Sequence, residues 1–332
     1  MRKRARLIYN PTSGTEAVKR NIVEILNTIE LAGYETSAFQ TTPEPLSAQK
    51  EAKRAALDNF DVIVAAGGDG TIHEVVNGIA PLRHRPAMGI IPAGTTNDFA
   101  RALKLPRNDP VAAAKVIAEG KIIKMDIGEA NDRYFVNIAG GGVLTELTYH
   151  VPSEIKSIFG YFAYVVKAAE MLPQIRQIPL KLTYDDGEFD GKASMFLLGL
   201  TNSIGGFEQI APDAQLGDGK FSLIVVKTAN WGDIIRLASL VLAGGKHTED
   251  EQIIYTKTKT LTVESSENEQ MQINLDGELG GVAPMKFVNL KHHLRMFANL
   301  SEIPDKTIGE NALFKIDEQE KDLNGENSDK KE

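Results

Sequence analysis

The sequence contains no cysteine among its 332 residues. This absence excludes disulfides, thiolate metal sites and cysteine nucleophiles, and it fits a protein that works in a reducing compartment. We therefore expect a cytoplasmic protein.

Long apolar runs are missing as well. No stretch approaches the roughly 20 apolar residues that a membrane-spanning helix needs. The basic start, residues 1–6, is similar to the first part of a signal peptide, but only Leu7, Ile8 and Tyr9 follow before Asn10. We expect neither export nor integral membrane insertion, so any contact with a membrane would be made from its surface.

The sequence also lacks an excess of positive charge. Its formal net charge is −8, and residues 301–332 hold ten acidic residues against five lysines, which leaves −3 for residues 1–300. A nucleic-acid-binding surface normally requires a clear positive excess, so nucleic acid is not expected as a partner. Because apolar residues thin out after Leu300, we predict a disordered, acidic tail over residues 301–332.

Residues 1–125 repeat one pattern, in which a short apolar run leads into a Gly-rich or Pro-containing loop and then into a helical periodicity. This pattern is typical of an α/β domain. Residues 62–66 are apolar throughout, as expected of a parallel strand that is covered on both faces. We predict further strands at residues 5–9, 36–41 and 89–91.

Residues 126–287 read differently, as strand-like segments separated by turn signals, and we predict a mostly antiparallel β domain there. Two helices are expected to interrupt it, and residues 288–300 are a candidate for completing the first domain. The predicted strands are residues 134–138, 180–184, 194–200, 221–226 and 260–263, and the predicted helices are residues 155–171 and 233–243.

The strongest chemical signal is the loop Gly67-Gly68-Asp69-Gly70-Thr71, which stands between a buried strand and a helical pattern. Glycines allow backbone N–H groups to approach phosphate oxygens, and the start of a helix adds partial positive charge. Asp69 is suited to hold a magnesium ion between phosphates. The loop therefore indicates a phosphate-binding site, and the alternative is a plain strand-to-helix turn.

Two more loops follow predicted strands of the same sheet: residues 10–14, Asn-Pro-Thr-Ser-Gly, and residues 92–98, Pro-Ala-Gly-Thr-Thr-Asn-Asp. Loops at the carboxyl ends of parallel strands meet at one edge of an open sheet, where ligands bind. Each loop alone is also compatible with an ordinary turn or helix cap. Together with Gly67 to Thr71, they predict a single nucleotide site.

Common catalytic motifs are absent from the sequence. A dinucleotide fingerprint fails because His73 stands where a small residue is required, and no Walker A spacing is present. The histidines show no zinc-binding spacing, so His73, His292 and His293 are expected to be solvated or structural. A serine nucleophile elbow is also missing, and phosphoryl transfer requires no covalent nucleophile.

Two acidic turns in the second domain are candidates for further chemistry. Residues 274–281 place Glu278 in a Gly-rich turn, where a carboxylate could accept the proton of an attacking hydroxyl. Residues 211–220 form an acidic turn that could bind a hard cation through one carboxylate and carbonyl groups. For both segments, a plain surface turn is the alternative.

In this order, the motifs resemble the diacylglycerol kinase catalytic-domain family of lipid kinases, and most closely its soluble bacterial members. The resemblance covers roughly residues 1–300. Residues 67–71 alone would be shared with NAD kinases and phosphofructokinases, whereas residues 10–14, 94–99, 212–219 and 275–278 add specificity. The resemblance implies a parallel-sheet α/β nucleotide domain, similar to that of phosphofructokinase and NAD kinase, followed by a mostly antiparallel β-sandwich domain.

The resemblance also implies roles for individual residues. Glu278 would be the proton acceptor, and Asp69 would share the catalytic role. Asp69, Asp98 and Asp126 would support an active-site magnesium ion, and Gln215, Asp218 and Lys220 would hold a structural one, with Gln215 and Lys220 contributing carbonyl oxygens. ATP would be surrounded by Asn10, Pro11, Thr12, Ser13, Gly14, Thr41, Gly67, Gly68, Asp69, Gly70, Thr71, Ile72, His73 and Thr95.

The implied activity is transfer of the γ-phosphate of Mg-ATP to 1,2-diacylglycerol, which gives phosphatidic acid for glycerolipid recycling. Peripheral membrane contact and a homodimer are expected. Residues 158–166, flanked by Lys156 and Lys167, could engage lipid or form a core helix. The alternatives are another acceptor on the same scaffold (a sphingoid base, monoacylglycerol, phosphatidylglycerol or NAD) or a nucleotide-binding module without catalysis.

Overall fold

The computed structural model of the chain describes residues 2–94, 97–142, 176–202, 209–265 and 271–314. Predictions for Thr95 and for residues 155–171 lie outside these ranges. Within the described ranges, no helix is long and apolar enough to cross a membrane.

Strands and helices alternate in the first part of the chain. The strands are β1 (Lys3–Tyr9), β2 (Tyr34–Gln40), β3 (Val62–Gly67) and β4 (Ala87–Pro92). The helices are α1 (Ala17–Arg20), α2 (Ile22–Leu31), α3 (Ser47–Leu57), α4 (Asp69–Ile79), α5 (Asp98–Ala102) and α6 (Pro110–Ala118).

The rest of the described chain consists mainly of strands. These are β5 (Ile122–Ala130), β6 (Arg133–Phe135), β7 (Ile138–Gly142), β8 (Ile178–Tyr184), β9 (Gly187–Ala193), β10 (Met195–Gly199), β11 (Phe221–Val226), β12 (Ile253–Thr258), β13 (Thr260–Ser265), β14 (Gln272–Leu275), β15 (Glu278–Val282) and β16 (Met285–Phe297). One α-helix, α7 (Trp231–Leu242), and three short 3₁₀ helices accompany them.

The strands form two sheets. The first has the order β2-β1-β3-β4-β16-β13-β8-β9, with β5 paired to β16 and β6. Strands β1 to β4 are parallel within it. The second sheet has the order β12-β11-β10-β7-β14-β15 and is antiparallel throughout. This arrangement confirms the predicted fold class, a parallel α/β unit followed by an antiparallel β-sandwich.

Strand β3 is buried on both faces, as its sequence predicted. Val64 packs against α2 and α6 in one core cluster, whereas Ile63 and Ala65 face α3 and α4 in another. A strand covered by helices on both sides has no solvent face, which is why it reads as a continuous apolar run.

A third core cluster lies between the two sheets. Leu180, Leu182 and Leu261 come from the first sheet, and they meet Phe196 and Leu223 from the second. This packing anchors β14 and β15 on the sandwich and thereby fixes the position of the turn that carries Glu278.

Two sequence predictions differ from the structure. Residues 134–138 do not form one strand, because the amides of Val136, Asn137 and Ile138 donate to the carboxylate of Asp276 instead of to a neighbouring strand. The tail does not begin at residue 301, since Ile303 and Ala312 are buried in the core cluster that contains Ile63 and Ala65. Apolar side chains spaced among polar ones therefore keep residues 303–314 folded against the domain.

Candidate active site

The three loops predicted to share a site meet at the carboxyl ends of β1, β3 and β4. Gly14 has a φ of +54°, and a Cβ on it would lie 2.3 Å from the carbonyl oxygen of Ala93. A Cβ on Gly94 would lie 2.6 Å from the Cα of Gly68. Because backbone approaches backbone at both contacts, glycine is required there for steric reasons.

The first loop is ordered by its own polar residues. The amide of Asn10 donates to the carbonyl of Ala66 at 2.9 Å, and the side-chain oxygen of Asn10 accepts the N–H and the hydroxyl of Thr12, both at 3.0 Å. The amide of Ser13 donates to the carbonyl of Asn10 across Pro11 and Thr12. Thr41 follows β2 alongside and donates to the carbonyl of Tyr9.

The second loop turns directly into α4. The amides of Thr71 and Ile72 donate to the carbonyl of Gly68 at 3.0 and 3.2 Å. A Cβ on Gly67 would lie 2.4 Å from the Thr71 hydroxyl oxygen. The side chain of Ile72 is buried in the core below the loop. The segment thus offers the start of a helix to an anion, with little side-chain bulk above it.

Asp69 is a partly buried carboxylate in a negatively charged environment. Its pKa is raised to about 6, mainly by burial and also by the negative charges of Asp98 and Asp276. Hydrogen bonds from the backbone amides of Asn97, at 3.1 Å, and Asp98 lower it and only partly compensate. Carboxylates held together in this way are poised to receive a cation.

We predict that Asp69→Asn stabilises the metal-free protein at pH 7. The folded-state pKa lies above the ordinary value of 3.8, so between about pH 4 and 6 the folded chain binds more protons than the unfolded chain. This carboxyl therefore lowers stability as pH rises through that range, by a total of about 3 kcal/mol.

The measurement is the free energy of unfolding of both proteins in chelator-treated buffer across this pH range. The variant should gain on the wild type as pH rises and should show little difference near pH 4. Asp132→Asn, at an exposed position, is the matched control. A gain that is independent of pH would contradict the prediction.

Glu278 stands at the start of β15, directly after a two-residue hairpin turn. Leu275 pairs with Glu278, and the turn residues Asp276 and Gly277 have φ values of +53° and +98°. Positive φ at both central positions is typical of a type I′ turn, for which Asp-Gly is a preferred sequence. A Cβ on Gly70 would lie 3.4 Å from Oε1 of Glu278. The hairpin therefore places the Glu278 carboxylate against the phosphate-binding loop.

Asp276 was not assigned a role from the sequence, although it stands in a recognised motif. Its side chain is only 6% exposed. It accepts N–H groups from Val136, Asn137 and Ile138 at 2.8, 2.9 and 3.0 Å, and its own amide donates to the carbonyl of Ile138. These bonds fix the hairpin turn beside the loop that joins β6 to β7.

His73 links α4 to this turn. Its Nδ1 lies 3.5 Å from the Asp276 carboxylate, and its Nε2 lies 3.3 Å from the amide nitrogen of Asn77. The Asn77 side chain also bonds both the N–H and the carbonyl of Tyr134. Of the two alternatives weighed for the histidines, solvated or structural, this environment fits the second, and the place of His73 beside ATP that the resemblance implies stays a prediction. Asn77 was not assigned a role from the sequence, although its i,i+4 spacing from His73 on a helix would have predicted contact between the two side chains.

Asn97 is a further residue that the sequence interpretation did not assign. It is buried, has a φ of +50°, and its side chain accepts from the amide of Gly94 at 2.9 Å and donates to the carbonyl of Gly94 at 2.7 Å. Its own amide donates to Asp69. Asn97 thus fixes the third loop and orients the Asp69 carboxylate.

The structure places Asp126 at the acidic turn of residues 211–220 rather than among the glycine loops. Its two carboxylate oxygens accept the amides of Gly219 at 2.6 Å and His292 at 2.8 Å. Burial raises its pKa, and Asp218 adds to that shift. Both oxygens therefore bond backbone amides that belong to this turn and to β16.

Within the same turn, the Asp218 carboxylate accepts the amide of Lys220 at 2.9 Å and lies 3.3 Å from the ammonium of Lys257. This ammonium also donates to the carbonyl of Asp213. The Gln215 side chain donates to the carbonyl of Lys306, away from Asp218. Among the described residues, no group of three acidic or histidine side chains forms a metal-binding cluster.

Both halves of the chain match models of known protein families. Residues 4–130 match the diacylglycerol kinase catalytic domain, and residues 144–298 match the YegS C-terminal NAD kinase beta sandwich-like domain.

Full-length relatives match as well. A diacylglycerol kinase of Bacillus subtilis (strain 168) is 53% identical over 294 residues, which cover 89% of this chain and 96% of the relative. A diacylglycerol kinase of Staphylococcus aureus (strain JH9) is 50% identical over 298 residues, covering 90% and 93%. A crystal structure of a diacylglycerol kinase from Bacillus anthracis str. Sterne superposes with a TM-score of 0.71 at 26% identity, covering 90% and 98%. The chain therefore belongs to the diacylglycerol kinase catalytic-domain family.

Proposed function

We propose that the chain transfers the γ-phosphoryl group of ATP to the hydroxyl of a membrane-resident diacylglycerol, with Glu278 as the proton acceptor. The observation that carries this proposal is the position of Glu278 Oε1, 3.4 Å from where a Cβ on Gly70 would lie, which brings a potential base from the second domain to the phosphate-binding loop of the first. The family supplies the reaction class, since its members are kinases that use ATP.

The three loops are suited to hold the phosphates. The backbone of Gly14 approaches Ala93 and that of Gly94 approaches Gly68 beside the start of α4, and we assign the phosphates to this edge because a helix start attracts anions. Asn10, Thr41 and the loop residues around them border the same edge of the sheet, and we assign Thr95, by its place between Gly94 and Asn97, to the same nucleotide site. Phosphoryl transfer depends on this kind of positioning and charge stabilisation more than on covalent chemistry.

Magnesium fits the acidic side of the site. Asp69 and Asp98 lie close enough for their negative charges to raise the pKa of Asp69, and a divalent cation would relieve that repulsion. When bound, the ion would neutralise the phosphates and orient them. Asp126 would contribute only indirectly, through the turn that it holds.

A structural magnesium ion is proposed at Gln215, Asp218 and Lys220. The donor set, one carboxylate with main-chain carbonyls, suits a hard cation. The Lys257 ammonium beside Asp218 and Asp213 supports a preference for positive charge at this turn. An ion bound there would take the place of this ammonium.

Glu278 is the residue that we assign to the proton transfer. Positioned next to the phosphate loop, its carboxylate would accept the proton of the lipid hydroxyl as the oxygen bonds to the γ-phosphorus, and the bond to ADP breaks. A base so placed contributes typically ~10²–10⁴-fold to the rate. Asp276 and His73 would hold the turn in place while this occurs.

The test is transfer of label from [γ-³²P]ATP and magnesium to a panel of acceptors in mixed micelles. The panel holds diacylglycerol, monoacylglycerol, a sphingoid base, phosphatidylglycerol and NAD, with a reaction without acceptor as the control. We expect label in phosphatidic acid. Label in another product would show that the acceptor is not diacylglycerol but that the chain is still a kinase. No transfer to any acceptor would favour a non-catalytic nucleotide-binding module.

A homodimer and peripheral membrane association also remain proposals. Closed two-fold dimers are the commonest assemblies of soluble enzymes. Sedimentation equilibrium of the full chain would measure the oligomeric state directly, and a monomer at working concentration would exclude the dimer.

A further inference from the structure

Helix α4 turns one face toward the hairpin that carries the proposed base. Gly70, His73 and Asn77 stand at positions i, i+3 and i+7 of this helix and therefore share a face. A Cβ on Gly70 would lie 3.4 Å from Oε1 of Glu278, and Nδ1 of His73 lies 3.5 Å from the carboxylate of Asp276. The face that begins at the phosphate-binding loop thus continues along the hairpin turn.

Asn77, at the far end of this face, bonds the backbone of β6. Its side-chain oxygen accepts the N–H of Tyr134 at 3.0 Å, and its side-chain nitrogen donates to the carbonyl of Tyr134 at 2.9 Å. The same nitrogen donates to the carbonyl of His73, also at 2.9 Å. An amide side chain has two hydrogens and one oxygen to offer, and these three bonds use all of them.

Strand β6 needs such a partner because one of its edges has no neighbouring strand. Among the described strands, β6 pairs only with β5, and Tyr134 is its middle residue. The open edge of a strand leaves N–H and carbonyl groups unpaired. By exchanging both bonds with Tyr134, the Asn77 side chain takes the place that a second strand would have.

Tyr134 belongs to the connection between the two domains. Residues 131–143 lie between the two matched family domains. Just beyond Tyr134, the backbone amides of residues 136–138 donate to the carboxylate of Asp276. The connection is therefore attached to the first domain by Asn77 and to the second by Asp276.

Asn77 makes a closer attachment than its neighbour on the same face. The 3.5 Å between His73 and Asp276 is long for a hydrogen bond, whereas the bonds of Asn77 to Tyr134 are 2.9 and 3.0 Å. Seven residues separate Asn77 from Gly70, which is about 10 Å along the helix axis. Asn77 can therefore align the hairpin without touching the reacting atoms.

We propose that Asn77 is a positioning residue for the proton transfer. It holds the connection against α4, and the connection holds the Asp276 turn that presents Glu278 to the phosphate-binding loop. This inference rests on the proposed function, in which Glu278 is the proton acceptor. It adds to that function the contact by which the nucleotide domain sets the place of a base that comes from the other domain.

Asn77→Ala is expected to lower kcat for diacylglycerol phosphorylation by about 10–100-fold, because a misplaced base loses its alignment. The KM for ATP should stay within about twofold, since the glycine loops keep their own hydrogen bonds. Steady-state kinetics with mixed micelles measures both constants, at a temperature where chemical denaturation shows the variant to be folded. A rise in KM at unchanged kcat would place Asn77 in nucleotide binding and overturn the proposal.

Asn21→Ala is the matched control. The side chain of Asn21 donates to the carbonyl four residues earlier, that of Ala17 at 2.8 Å, just as the side chain of Asn77 donates to His73. Its kinetic constants should stay within about twofold of the wild type. An equal loss of kcat in both variants would show a general effect of losing a helix side-chain bond, and it would contradict a specific role of Asn77.

A double-mutant cycle with Glu278→Gln separates positioning from a general loss of structure. If Asn77 acts through Glu278, adding Asn77→Ala to Glu278→Gln should lower kcat by less than about twofold, since no base remains to be aligned. Losses that multiply would keep the base and overturn the positioning role. Full turnover in Glu278→Gln alone would remove the proposed base, and the positioning role with it.

Asn77→Asp tests the same bonds without changing the size of the side chain. A carboxylate can accept the N–H of Tyr134 but cannot donate to the carbonyls of Tyr134 and His73. We expect kcat to fall in this variant as well, and the loss to disappear in the Glu278→Gln background. A folded Asn77→Asp protein with the turnover of the wild type would overturn the proposal.

Discussion

Glu278→Gln is expected to lower kcat for diacylglycerol phosphorylation by ~10²–10⁴-fold while ATP affinity stays within about twofold of the wild type. The amide has the size of the carboxylate and can still lie against Gly70, so the nucleotide loops should remain undisturbed. It cannot accept the proton of the attacking hydroxyl. The loss therefore falls on the chemical step.

Steady-state kinetics with diacylglycerol micelles and isothermal titration with a non-hydrolysable ATP analogue measure the two quantities. Glu188→Gln, an exposed position on β9, is the control and should match the wild type. If Glu278→Gln weakened nucleotide binding as much as turnover, the carboxylate would serve binding rather than proton transfer. Unchanged turnover would leave the reaction without its proposed base.

The parts of the fold that were predicted from the sequence are those in which local sequence decides local structure. Residues 62–66 read as a strand buried on both faces because helices cover both sides of β3. The glycine loops were recognisable because a strand, a glycine turn and a helix follow one another within a few residues. The convergence of these loops follows from the geometry of parallel strands.

The parts that were missed depend on contacts between distant positions. Asp276 bonds amides that lie 138 to 140 residues away, so neither its role nor the break between β6 and β7 has a local signal. Asn97 reaches Asp69 across 28 residues. A β-bulge at Gly280 requires the register of β14 against β15, which the glycine pair alone does not define.

The folded extension to residue 314 shows the limit of composition. Charged residues outnumber apolar ones after Leu300, yet Ile303 and Ala312 are buried, and the amide of Leu216 donates to the carbonyl of Thr307. A few well-placed apolar side chains can hold a polar segment when a groove on the domain receives them. This extension packs beside the turn of residues 211–220, where the structural cation is proposed.

Asp276→Ala is expected to lower the free energy of unfolding by about 2–4 kcal/mol, because it leaves the amides of Val136, Asn137 and Ile138 without their acceptor in a buried place. Removing the negative charge also relieves the repulsion that raises the pKa of Asp69. Asp276 is a smaller cause of the raised pKa of Asp69 than burial or Asp98. Its removal therefore recovers only part of the lost free energy of unfolding.

A second hairpin supplies the matched control for this prediction. Asp186 also precedes a glycine in a hairpin turn, between β8 and β9, but it is exposed. Chemical denaturation should therefore show a large loss for Asp276→Ala and almost none for Asp186→Ala. If the two variants behaved alike, the three amides would not depend on Asp276. Where the variant folds, its kcat should fall more than its ATP affinity, since the released turn is the one that presents Glu278 to the phosphate loop.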